Sequence, residues 1–122
     1  MRPLIFLATI ALASLFQPLH AQDDSAPPPA RGSIIEDRAV KKLVEAGDAR
    51  LEADEATKAV EVWESVIERY PASRVRFLAH MRLGVYFLER DRAFEKARVH
   101  FEAVASEDNR DEDQQAEATL KM

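Results

Sequence analysis

Past residue 33 the chain has almost no punctuation. Of its six prolines only Pro71 follows Pro29, and of its three glycines only Gly47 and Gly84 follow Gly32. A multi-stranded β protein needs turn residues roughly every 8–12 positions. Residues 34–122 cannot supply them, so an all-α fold is the expectation. Local signals divide that region into helices. Ser33-Ile-Ile-Glu36 matches a capping box, which starts a first helix running to Leu51. Asp54 is placed to cap a second, over 55–70, whose apolar residues Ala59, Val62, Trp63, Val66, Ile67 and Tyr70 fall in steps of three and four. Pro71 ends it. Ser73 is placed to cap a third, over 74–90, which is apolar around most of its circumference and therefore the most enclosed. Asp91 is placed to cap a fourth, over 92–105, with Phe94, Ala97, Phe101 and Val104 inward. An acidic loop over 106–113 leads to a fifth helix, 114–122.

These helices repeat. With Gly47 and Gly84 as anchors, 37 residues apart, one unit reads Leu43-x-x-Ala46-Gly47, then Ala59-x-x-x-Trp63, then Pro71. The next reads His80-x-x-Leu83-Gly84-x-x-Phe87, then Ala97-x-x-x-Phe101, with Asn109 where the proline would fall. The order of small, aromatic and proline positions resembles the tetratricopeptide repeat, W-x₂-L-G-x₂-Y, A-x₃-F and P over ~34 residues. The likeness covers residues 38–122. It implies an α-solenoid of antiparallel helix hairpins, about two repeats plus the first helix of a third. Small residues at Gly47, Gly84, Ala59 and Ala97 let the two helices of a hairpin approach, and Trp63 and Phe101 fill the space between hairpins. Tyr70-Pro71-Ala72-Ser73 followed by Ala79-x-x-x-Leu83-Gly84 is similar to envelope-associated bacterial repeat proteins, including periplasmic coordinators of cell division and repeat lipoproteins of outer-membrane protein assembly. Three departures stand out. Arg50 replaces an aromatic, the second hairpin turn is one residue longer, and no cysteine is present to carry a lipid. Ala118-Thr-Leu-Lys-Met122 matches Ala79-His-Met-Arg-Leu83. A third glycine would come next, and the expectation is that the array continues.

Ahead of the repeats, residues 1–21 read as a signal peptide. Arg2 precedes an uncharged run from Leu4 to Phe16, Pro18 breaks it, and Leu19-His20-Ala21 offers a cleavage site. The run is shorter than the ~20 residues of a membrane span. An uncleaved N-terminal anchor is the alternative, and both put the remainder outside the cytoplasm, in the periplasm or the extracellular space. Residues 22–33, with Pro27–Pro29 and almost no apolar mass, read as a disordered linker.

Charge and composition narrow the function. The net charge is -5, and it becomes -6 once Arg2 leaves with the leader. Such a balance argues against nucleic acid as a partner. Without cysteine there is no thiolate nucleophile, cysteine zinc site or disulfide scaffold. His80 and His100 lack the i,i+4 spacing of a helical zinc site and read as half-buried structural residues. Acidic residues 107–113 lack the glycine and spacing of a calcium loop. No Ser/His/Asp order, phosphate loop or dinucleotide fingerprint occurs. The expectation is a non-enzyme with no cofactor and no small-molecule substrate, acting on a protein or peptide of the cell envelope. The first, third and fifth helices would line a groove. Arg50, Arg82 and Tyr86 are the candidate contacts, because adjacent Tyr86 and Phe87 cannot both face the core. Arginines 74, 76, 82, 90, 92 and 98 could receive an acidic peptide or a carboxylate terminus. Self-association through the C-terminal helix is the alternative.

Overall fold

The computed structural model describes residues 33–122, which form five helices and, among the described residues, no strand. The leader and all but the last residue of the linker lie outside the described residues. The helices are α1 (Ile34–Glu52), α2 (Ala56–Arg69), α3 (Arg76–Glu89), α4 (Phe94–Val104) and α5 (Glu112–Lys121). Each packs against the next in sequence, and α1 also touches α3. Residues 53–55 join α1 to α2 and residues 90–93 join α3 to α4, so each pair packs back along itself as an antiparallel hairpin. None of these helices is long and apolar enough to cross a membrane.

Ser33 opens α1 as its capping box requires, its hydroxyl accepting from the Glu36 amide at 3.1 Å. The two hairpin turns differ from expectation. Asp54 does not cap α2. It sits in the left-handed region at φ 64°, and Glu55 precedes the helix without a side-chain cap. The Glu55 carboxylate is bound instead by Arg50 at 2.7 Å and Lys58 at 3.1 Å, which hold it below the usual carboxylate range. Asp91 likewise does not cap α4. Arg92 takes the left-handed conformation at φ 49°, and Ala93 precedes the helix. The longer turn brings Ala93 onto the core, tied by its amide to the Phe87 carbonyl at 2.8 Å, and leaves Phe94 61% exposed rather than inward.

Ser73 begins the α3 entry, although the helix starts at Arg76. Its hydroxyl accepts from the Val75 amide at 3.2 Å and donates to Asp37 of α1 at 2.6 Å. At α5 the cap is Asp111, which accepts from the Gln114 amide at 3.0 Å and starts the helix two residues earlier than expected.

The core is one continuous cluster running from Val40 and Val44 through Ala59, Trp63 and Val66 to Leu83, Ala97, Phe101 and Ala118. As expected, α3 contributes the most to it, with Ala79, Met81, Leu83 and Phe87. The close approaches fall at the two glycines. A Cβ on Gly47 would lie 2.7 Å from Cδ1 of Trp63, and one on Gly84 would lie 2.8 Å from Cδ1 of Phe101. Both distances are shorter than a carbon pair tolerates, so each aromatic ring lies directly on the glycine backbone of its own hairpin, whereas the repeat resemblance implies a place between hairpins. Ala59 and Ala97 are buried beside the same rings. The Trp63 indole also donates to the Val44 carbonyl of α1 at 3.3 Å. The two Gly/Ala/aromatic triplets thus occupy like surroundings.

Candidate functional site

Two clefts lie along the face made by α1, α3 and α5, and they share Leu78 and Gln114. The larger, about 870 Å³, is bounded by Lys41 of α1, the start of α3 and the α4–α5 connection. Its rim is charged in both senses, with Arg74, Arg76 and Arg110 facing Glu107, Asp108 and Asp111. The smaller, about 380 Å³, has an apolar floor of Leu51, Leu78, Met81 and Val85. Tyr86, Arg82, Glu89, Arg90 and Glu117 form its walls.

Two of the three candidate groove contacts come together here. Arg82 is on the smaller cleft and is held by Asp48 of α1 at 2.9 Å, a partly exposed pair that braces α3 against α1. Pairs of this kind are worth up to ~1 kcal/mol. Tyr86 lines the same cleft while its ring meets Phe87 edge-on at 5.5 Å between centroids. Phe87 turns the other way, into the α3–α4 seam. Arg50 is not among the residues lining either cleft, although its neighbour Leu51 is, and it is engaged by Glu55.

The six arginines separate in the same way. Arg74, Arg76, Arg82 and Arg90 line the clefts, whereas Arg92 does not and Arg98 pairs along α4 with Glu95 and Glu102. Arg76 also lies over the Phe77 ring at 4.1 Å.

Among the repeat positions, Gly47, Ala59, Trp63, Leu83, Gly84, Phe87, Ala97 and Phe101 are buried. Leu43 is 37% exposed on α1. Pro71 follows directly on the Tyr70 C-cap of α2. Asn109, in the corresponding place, is buried by a different device. Its side-chain amide donates to the Val104 carbonyl at 2.9 Å, and its Oδ1 accepts from the Asp111 amide at 3.1 Å. The Gln115 side chain reaches back to the Asn109 and Ser106 carbonyls. Asparagine thus closes by side-chain hydrogen bonds a turn that proline closes by its ring.

One arrangement escaped the sequence. His80 of α3 and His100 of α4 face each other with their Nδ1 atoms 2.9 Å apart, and His100 stacks on Phe87 at 5.7 Å and 13°. Burial is the main cause that holds His80 at about 4, reinforced by the charges of His100 and Arg76. Burial lowers His100 as well. Two imidazoles fall short of the three or more ligands of a protein metal site. Among the described residues no three or more His, Cys, Asp or Glu side chains gather to make one. The signal lay in placing both residues on the facing sides of one hairpin, but spacing along the chain does not show whether two rings touch.

No known family model, curated protein or solved structure matches this chain.

Proposed function

We propose that the chain is an exported α-solenoid of tetratricopeptide-like hairpins, without catalytic activity, that binds a protein or peptide segment in the cell envelope. The observation that carries this reading is the face of α1, α3 and α5, where two clefts meet at Leu78 and Gln114. An apolar floor with charged walls suits an extended or helical segment, which stacked helical repeats hold on such a face. The like packing of Trp63 on Gly47 and Phe101 on Gly84 supports the repeat architecture. The leader-like residues 1–21 support export. Tyr86 and Arg82 are the contacts of choice, and Arg50 is secondary because it lies outside the clefts' lining.

Site-specific photocrosslinking in envelope extract tests the reading. A benzophenone side chain at position 86 should give discrete adducts. The same group at Val99, 62% exposed on α4, should give few. Equal yields at both positions, or none at 86, would remove the groove from the proposal.

A second reading has its own observation. Leu120 of α5 is 88% exposed and Met122, just past its end, is 53% exposed, whereas their counterparts in the repeat, Met81 and Leu83, are buried. An α5 edge of this kind suits self-association. Light scattering should then show a concentration-dependent dimer that Leu120→Lys abolishes. A monomer at all concentrations leaves only the groove.

A further inference from the structure

The α3–α4 hairpin is closed on one side by a pair of groups that can change charge. His80 and His100 are each half-buried and meet Nδ1 to Nδ1 at 2.9 Å. Such a contact requires one ring to donate its Nδ1–H and the other to offer a lone pair. His100 is also stacked on Phe87. The charged groups that face this cluster are cations. Arg76 of α3 acts on His80, and Lys96 of α4 sits 5.4 Å from the centroid of the Phe87 ring. Neither ring is paired with a carboxylate among the described residues. A proton arriving here therefore meets no compensating charge.

We propose that His80 and His100 are an acid-operated latch across the α3–α4 seam, closed while both rings are neutral and released when they take up protons. The first proton leaves a charged imidazolium in a half-buried place already facing Arg76 and Lys96. The second consumes the accepting Nδ1 lone pair and sets two N–H groups face to face. Release frees α4 from α3 and uncovers the Phe101–Gly84 contact beneath. The direction follows from linkage. Both histidines titrate lower in the closed hairpin than the ordinary 6.5 they regain on opening, His80 at about 4. The open form binds more protons between those values, so the closed form loses stability as pH falls through that window. From pH 7 to pH 5 the open population should rise at least about tenfold.

Amide hydrogen exchange on the full chain tests this, with rates corrected for their intrinsic pH dependence. Protection in α4 should drop at least about tenfold between pH 7 and pH 5, while the α1–α2 hairpin keeps its own. In the double variant His80→Leu with His100→Phe, which keeps a ring on Phe87, α4 protection should not change with pH. Equal losses in α1–α2 and α4 would overturn the latch, and so would a loss that survives in the double variant. NMR titration of the unaltered chain decides the matter if the variant fails to fold. Both rings should titrate below 6.5, with His80 at about 4, and either one titrating at its ordinary value would overturn the proposal.

Discussion

Trp63 and Phe101 do the same thing in two places. Each lays its ring on a glycine backbone, and that choice of residue has a measurable cost if changed. Alanine is the better helix former by ~1 kcal/mol, so propensity alone would make Gly84→Ala stabilising. The added methyl would instead stand 2.5 Å from Cε1 of the Phe101 ring, which is fully buried. Overpacking of this kind costs ~1–3 kcal/mol. Gly84→Ala should therefore lower the urea midpoint, and Gly47→Ala should do likewise against Trp63. Phe101→Leu in the Gly84→Ala background should recover part of the loss, and the double-mutant cycle should show a coupling of at least ~0.5 kcal/mol. Additive effects would mean that ring and glycine do not press on each other.

The helices themselves were largely legible. Apolar residues at steps of three and four report a buried stripe whatever it packs against. Pro71 stops α2 by its missing N–H, and Ser33 opens α1 through a bond within four residues. The turns were less legible. Asp54 and Asp91 are good cap residues by type, yet the chain passes through left-handed conformations at Asp54 and Arg92, and the caps move to Glu55 and Ala93. Where a short connection must reverse the chain, loop geometry outweighs the preference of one side chain. Asn109 shows the opposite case, a loop whose shape depends on one residue. Asn109→Ala would orphan the Val104 carbonyl and the Asp111 amide. A cost of ~1–3 kcal/mol is expected, concentrated in α5, because unpaired buried polar groups carry that penalty. Exchange protection in α5 should fall while that of α1 is unchanged. A uniform loss along the chain would show that the α4–α5 connection is not a separate unit.

For the molecule as a whole, stability is a sum over neighbours. Each helix packs on the next, and α1 also touches α3. Helical repeat arrays, the architecture proposed here, usually need ~3 repeats to bury a continuous core. Residues 33–122 contain two hairpins and a single fifth helix, whose buried contribution is Ala118 alone. The isolated monomer should melt below ~65 °C, within the range of ordinary small domains. A cooperative transition well above that would mean the terminal helix is better held than its burial indicates.

The amino-acid order alone was enough for the helical class and for the positions of the five elements to within a few residues. Both rest on period and on short-range chemistry, which a linear pattern records. Coordinates were needed for the meeting of His80 with His100, the Arg82–Asp48 brace, the Ser73–Asp37 bond and the exclusion of Arg50 from the clefts' lining. Each of these depends on how one helix is rotated and offset against another. Periodicity says which side of a helix is buried, but the atom it meets there is set by crossing angle and register between elements.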